Sequence, residues 1–153
     1  MSYETGETCT VKYELELPIR ASVEVVWKSL VDETNAWWLP EFHMAGPESV
    51  VSFDANAGGL LVERAEDGSS LLWYTVQMCV PKQSIHLVGH TAPQWGGPAL
   101  SMLELALEDA DGGTLFIVRE AIFGNTSESS AKCQSEGWEL LFGDGLRKHA
   151  ESR

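Results

Sequence analysis

Between residues 48 and 123 the chain alternates strand-like segments with tight turns, and this feature constrains the fold more than any other. The segments ESVVSFDA and GLLVERAE flank the turn NAGG, and EDGSS closes the next hairpin. LLWYTVQMCV and SIHLVGHT follow, and DADGG joins ALSMLELALE to TLFIVREAIF. Strands joined by such short connections lie antiparallel. With the alternating segment CTVKYELELPI near the N-terminus, the pattern predicts about seven strands.

Helical segments flank this strand region. Ser22 offers an N-cap for a first helix, and a short helical piece, TNAWWLP, is expected to stop at Pro40. The C-terminal segment SEGWELLFGDGLRKHA has apolar residues at intervals of three and four, although it contains three glycines. Each glycine costs about 1 kcal/mol relative to alanine in a helix interior. Because the apolar phase continues across the glycines, we predict one long helix, frayed or bent near Gly143. Helical content is thus expected in residues 22–38 and 126–151.

Length and charge bound the class of protein. The chain has 153 residues, which predicts a single domain spanning 1–153. Its 23 acidic and 10 basic residues give a net charge of −13, which disfavours binding to nucleic acids. The N-terminus lacks a signal-peptide pattern, no apolar run is long enough for a membrane helix, and three widely separated cysteines favour reduced thiols. We therefore expect a cytoplasmic protein with no membrane insertion.

The order of one strand, two short helices, six strands and one long helix is similar to the helix-grip fold of the START/SRPBCC superfamily. Within it, the chain resembles the branch named for the activator of the ninety-kilodalton heat-shock protein's ATPase. The matching segments are ASVEVVWKSLVD, AWW, GGLLVE, VPKQSIHLV, GGTLFIVREAIFG and SEGWELLFGDGLRKHAE. The resemblance implies an α+β fold in which a curved antiparallel sheet wraps the C-terminal helix.

The resemblance also implies a cavity between the sheet and the helix that holds a small hydrophobic or amphipathic molecule. Alternation divides the side chains of each strand into two sets, and by position in the family pattern the resemblance implies that the following residues face the cavity: Leu103, Leu105, Phe116, Val118, Glu120, Trp138 and Phe142. Trp37 and Trp38 are expected to cover one end, with Trp73 or Tyr74 and Trp95 near the mouth. A purely structural role in the core is the alternative for each tryptophan, above all for Trp27 and Trp138.

Glu120 is the sharpest single candidate for a functional residue. An inward carboxylate among apolar side chains is costly unless it is paired or protonated. It is therefore either a polar anchor or acid/base group for a ligand, or a structural acid. A structural acid would be satisfied by Arg64, Arg119 or a tyrosine hydroxyl, or would simply reach solvent at the strand end. Related sequences often carry histidine at this position, so no histidine-based role is carried over.

The sequence contains no motif for metal-dependent or nucleophilic catalysis. His86 and His90 share one face of a predicted strand but stand about 13 Å apart, too far to share a metal ion. No signature of a nucleophile elbow, phosphate-binding loop or zinc peptidase is present. We predict no metal site, no cofactor and no identifiable catalytic residue.

Three functions fit these observations. The favoured one is the binding of a small hydrophobic molecule. The alternatives are an enzyme of polyketide-cyclase-like or hydrolase type acting on an aromatic substrate in the same cavity, and a co-chaperone-like domain that stimulates a chaperone ATPase. A homodimer is also expected, because the outward positions of the last two strands are apolar. These positions are Leu100, Met102, Ala106, Leu115, Ile117 and Ala121.

Overall fold

Six of the seven strands follow one another across the sheet in sequence order, as the hairpin signals predict. The computed structural model describes residues 1–153 and contains one antiparallel sheet with the order β1-β7-β6-β5-β4-β3-β2. The strands are β1 (Cys9–Ile19), β2 (Val50–Phe53), β3 (Leu60–Arg64), β4 (Ser70–Val80), β5 (Ser84–Thr91), β6 (Ala99–Ala110) and β7 (Gly113–Gly124). The first strand pairs with the last, so the predicted α+β helix-grip topology is confirmed.

Alternation along β6 and β7 produces the buried inner face of the sheet. The side chains of Phe116, Val118 and Glu120 are 0%, 0% and 2% exposed. On the opposite face, Ala106 pairs with Ile117, and these residues are only 7% and 2% exposed within the single chain. The apolar area open to a second copy is therefore smaller than the alternation alone indicates, and the homodimer stays a prediction.

Two short helices follow the first strand. Helix α1 (Val23–Asp32) begins after Ser22, whose hydroxyl oxygen accepts a hydrogen bond from the Val25 backbone N–H at 3.3 Å. Helix α2 (Thr34–Trp37) ends before the predicted boundary, and a single 3-10 turn (Pro40–Phe42) begins at the proline instead. Proline fits the first position of a helical turn because its missing N–H has no partner there.

The C-terminal segment forms one continuous helix, as predicted. It runs through α3 (Glu128–Leu140), a π-helical segment (Leu141–Arg147) and α4 (Lys148–Glu151). The predicted irregularity near the glycines is thus a π-helical segment. A Cβ atom on Gly145 would lie 2.5 Å from a carbonyl oxygen at the end of α2, so this glycine allows α2, rather than the sheet, to approach closely. None of the helices is both long and apolar enough to cross a membrane.

An aromatic cluster fills the deep part of the space between the sheet and the C-terminal helix. Phe142 is its centre, with ring centroids 5.0 Å from Phe116, 5.4 Å from Trp138 and 6.0 Å from Trp37. Trp37 in turn contacts Trp38, with centroids 5.7 Å apart. All five rings are buried, so this part of the helix-grip interior is packed core.

Candidate ligand-binding site

A cavity of about 400 Å³ lies beside this cluster, between α3 and strands β4, β5 and β6. Its apolar and aromatic lining residues are Phe42, Met44, Leu71, Leu72, Trp73, Trp95, Gly137 and Trp138. Its polar lining residues are Glu41, Tyr74, His90, Thr91, Ser101 and Gln134. The lining contains no lysine or arginine. The volume is within the usual range for pockets that hold small molecules, about 300–1,000 Å³.

The structure brings only some of the predicted cavity residues to this cavity. Trp73, Tyr74, Trp95 and Trp138 line it, and Glu120 lies directly behind the lining. Seven others are buried in the core and do not line this cavity: Trp37, Trp38, Leu103, Leu105, Phe116, Val118 and Phe142. They face inward as predicted, but the aromatic cluster around Phe142 fills the space next to them.

Glu120 is the centre of a buried hydrogen-bond network behind the cavity. The donors to its carboxylate are the hydroxyls of Tyr13, Tyr74 and Ser101, the amide of Gln134 and the indole N–H of Trp138. The Tyr74 and Gln134 bonds are 3.0 Å long and the Trp138 bond is 3.3 Å long. The two carboxylate oxygens thus have five hydrogen-bond partners in the protein, and all five are neutral groups.

Of the partners considered for Glu120, the tyrosine hydroxyls are the ones that the structure provides. Arg119 lies on the other face of β7, where it pairs with Glu14 at 2.7 Å and Glu104 at 3.2 Å. Arg64 is exposed at the end of β3 and forms no ion pair. Glu120 is therefore satisfied by neutral groups alone.

The two tyrosines are held in the protonated state that this network needs. Burial raises the pKa of Tyr74 well above its ordinary value, and the negative charge of Glu120 acts in the same direction. For Tyr13, burial is again the largest cause of a raised pKa, followed by the charge of Glu120 and the hydrogen bond to it. Both hydroxyls therefore remain donors to the carboxylate at neutral pH.

A glycine on the intervening strand lets Tyr74 reach this network. Thr75 pairs with Val88, so Tyr74 on β4 lies beside Gly89 on β5, and Gly89 in turn pairs with Ser101 on β6. A Cβ atom on Gly89 would lie 2.7 Å from Cε1 of the Tyr74 ring. A glycine inside a strand often marks such a close approach, and this signal in SIHLVGHT could have revealed the contact.

A second buried carboxylate, Glu63 on β3, was not predicted. It is 0% exposed and accepts hydrogen bonds from the Ala45 backbone N–H, from Ser49 Oγ at 2.9 Å and from Trp73 Nε1 at 2.9 Å. Sequence alternation fails here because the β3–β4 register shifts between Leu61 and its neighbour, and three consecutive residues become buried. Glu63 therefore fixes Trp73 in the way that Glu120 fixes Trp138.

The mouth of the cavity has an apolar rim. The rim residues Met44, Leu72 and Trp95 are 64%, 51% and 62% exposed. The loop that carries Trp95 is fixed to the connection between β7 and α3, because the Asn125 amide donates to the Gly97 carbonyl at 3.0 Å. This rim is an exposed apolar patch beside a concave site, which is typical of a binding surface.

The antiparallel sheet, the long helix that it holds and the cavity between them define a helix-grip protein of the α+β class. The chain belongs to the family described as activator of Hsp90 ATPase homolog 1-like protein, whose family model matches residues 20–151. The match covers most of the sheet and the whole of the C-terminal helix. It confirms the family resemblance inferred from the sequence segments.

Similar solved structures support the same fold. Mll3558 from Rhizobium loti is 23% identical, with a TM-score of 0.70, and the alignment covers 91% of this chain and 96% of that protein. A putative uncharacterised protein from Rhizobium leguminosarum is 17% identical, with a TM-score of 0.71 and coverages of 96% and 98%. Ara h 8.0201 is 15% identical, with a TM-score of 0.67 and coverages of 95% and 100%. A comparison with curated proteins found no match. At these identities the likenesses show the fold alone.

Proposed function

We propose that this protein binds a small hydrophobic or amphipathic molecule in the cavity between α3 and strands β4 to β6. The observation that carries the proposal is a cavity of about 400 Å³ walled by Trp73, Tyr74 and Trp138. The fold itself is consistent with ligand binding and with co-chaperone-like roles. The cavity favours the first, because aromatic walls around a concave site bury the surface of a flat or apolar molecule.

The orientation of the two tryptophan walls supports this proposal. The indole N–H of Trp73 is bonded to Glu63 and that of Trp138 is bonded to Glu120, so both N–H groups are already engaged by buried carboxylates. The rings offer a guest their apolar surfaces instead. Because these hydrogen bonds fix the rings in advance, little side-chain entropy is lost when a ligand is bound.

The hydrogen bonding of Glu120 favours binding over catalysis. A general base needs a lone pair that can reach a proton of the substrate. The two oxygens of Glu120 already accept five hydrogen bonds from the protein. We therefore assign Glu120 a positioning role, in which it holds the side chains that contact the ligand.

Native mass spectrometry of the purified protein tests this proposal, because a retained ligand adds mass that is lost on denaturation. Binding of the neutral dye Nile red, followed by its fluorescence, provides the quantitative assay. Trp95→Ala should weaken dye binding several-fold, since ring stacking of this kind contributes about 1 kcal/mol. Phe123→Ala is the matched control, because Phe123 is 54% exposed, against 62% for Trp95, and lies outside the lining.

Both variants should unfold within about 0.5 kcal/mol of the wild type, since each removes an exposed side chain. A wild-type protein that neither retains a ligand nor binds the dye would contradict the proposed function. Equal loss of dye binding in the two variants would place the dye elsewhere on the surface.

A further inference from the structure

We infer that the cavity selects molecules whose polar end is a positively charged amine and rejects molecules with an anionic head group. This inference rests on the proposed function and adds the charge of the ligand to it. Three independent features of the site carry it: the sign of the buried charge, the hydrogen-bonding groups at the inner end and the aromatic walls.

The charge buried around the cavity is negative. Glu120 is 2% exposed, and no lysine, arginine or histidine forms an ion pair with it. Glu63 is 0% exposed behind Trp73, and Glu41 belongs to the lining itself. The only basic side chain in the lining is His90. Because charges are weakly screened in a protein interior, a carboxylate or phosphate in this cavity would be repelled and a cation attracted.

The inner end of the cavity presents hydrogen-bond acceptors. The hydroxyls of Tyr74 and Ser101 each have one hydrogen, and both hydroxyls lie in position to donate it to Glu120. Gln134 also directs its amide N–H toward Glu120, which leaves its carbonyl oxygen without a protein partner. All three residues line the cavity. Their remaining groups are mainly lone pairs, which suit an ammonium group with several N–H donors and not a head group that only accepts.

The aromatic walls suit the same ligand. An organic cation is attracted to the face of a tryptophan or tyrosine ring, and the attraction is stronger where water is excluded. Tyr74 and Trp138 lie next to each other at this end of the cavity, with ring centroids 6.0 Å apart at an angle of 49°. An amine joined to an apolar body would thus place its charge near the Glu120 network and its body against the rings and the apolar rim.

Displacement of Nile red by three compounds with one ring system tests the inference. The compounds are naphthylmethylamine, naphthylmethanol and naphthoate, which are cationic, neutral and anionic at neutral pH. We expect the amine to bind most tightly and the carboxylate most weakly. The dissociation constant of the carboxylate should exceed that of the amine by about tenfold or more. The order should persist at high ionic strength, where the attraction from distant surface charges is screened.

Glu120→Gln should reduce the ratio of the carboxylate's dissociation constant to that of the amine several-fold. Glu108→Gln is the matched control, because it removes the same charge from an exposed position of β6 outside the lining and should leave the ratio unchanged. If Glu120→Gln does not fold, the order of the three compounds on the wild-type protein still decides.

The two proposals fail in distinguishable ways. If the purified protein neither retains a ligand nor binds Nile red, ligand binding in this cavity is refuted together with the inference. If Nile red binds but the carboxylate competes as well as the amine, or none of the three compounds competes, the charge preference is wrong and the proposed function stands. A preference for the amine that disappears at high ionic strength would also overturn the inference, since it would reflect only the net charge of −13.

Discussion

Replacing Gly89 by alanine should disrupt the cavity from behind. The added Cβ would lie 2.7 Å from Cε1 of the Tyr74 ring and 2.8 Å from the Trp73 carbonyl oxygen. Carbon atoms in contact are separated by about 3.5–4.0 Å, so the ring must move by about 1 Å. The 3.0 Å hydrogen bond from Tyr74 to Glu120 would then be lost.

The cost of Gly89→Ala follows from three effects. Losing a hydrogen bond to a charged group costs about 1.5–3 kcal/mol. Crowding a packed interior adds about 1–3 kcal/mol. Replacing a strand glycine by alanine also stabilises the folded state by about 0.5–1 kcal/mol, because alanine leaves the unfolded chain with less conformational entropy to lose. We therefore expect a net loss of about 2–5 kcal/mol in the free energy of unfolding, measured by urea denaturation followed by tryptophan fluorescence.

Two control measurements isolate the contact with Tyr74. Gly6→Ala should be neutral, because a Cβ there has no atom within 4 Å. In a Tyr74→Ala background the ring is gone, so Gly89→Ala should cost clearly less than in the wild type. A Gly89→Ala variant within about 0.5 kcal/mol of the wild type, with Nile red binding intact, would refute this account of how Tyr74 is placed.

Three further predictions concern the helices and the buried network. Gly145→Ala should destabilise the protein by about 1–2 kcal/mol, because the added Cβ would lie 2.5 Å from a backbone oxygen of α2. Gly137→Ala should instead stabilise it by up to about 1 kcal/mol, since the atom nearest to the added Cβ is 3.9 Å away. Similar effects of the two changes on urea unfolding would contradict this close packing. Ser29→Ala should be neutral or stabilise by about 1 kcal/mol, because the Ser29 hydroxyl is buried without a hydrogen-bond partner. A clear decrease in the midpoint temperature of thermal unfolding would contradict this expectation. Burial raises the pKa values of Tyr13 and Tyr74 above the ordinary value of 10.0. The stability that the two protonated tyrosines contribute is therefore fully present below pH 10.0. Above that pH the free energy of unfolding should fall by about 1.4 kcal/mol per pH unit for each tyrosine. Tyrosinate absorbance from this pair should therefore appear only together with alkaline unfolding, and replacing both by phenylalanine should remove that step.

Most of the topology could be predicted from local patterns. Strands joined by hairpins lie side by side in chain order, so the turns predict the spatial order from β2 to β7. The alternation of apolar residues identifies the side chains of β6 and β7 that share the inner face. Pairing of β1 with β7 joins the first and last strands of the chain, and no local pattern in the sequence predicts it. Helix α2 ends at Trp37, close to the predicted end at residue 38, whereas the 3-10 turn at Pro40 was not predicted, since proline can begin a helical turn as well as stop one.

The site was less predictable, because alternation gives the face of a residue but not its depth along the sheet. Ser101 and Leu105 point to the same face of β6, yet only Ser101 reaches the cavity. The difference is made by Phe142, whose ring closes the deep part of the interior beside Phe116. Such packing depends on side chains from distant elements, and no short-range pattern records it.

The two buried carboxylates lie outside the cavity lining but are bonded to parts of the protein that form it. Glu63 accepts from the backbone of Ala45, next to the rim residue Met44, and from the wall residue Trp73, so one acid fixes both rim and wall. An amide at this position could keep only part of that pattern, because a carboxylate accepts at both oxygens whereas an amide accepts at one. A buried charge without a cation costs folding free energy, and apolar contacts alone could have packed this space. Both acids lie behind tryptophans of one cavity, so the folding free energy that their burial costs serves to hold these cavity walls in place. Mutations at Glu63 should therefore alter ligand binding, although its side chain lies outside the lining.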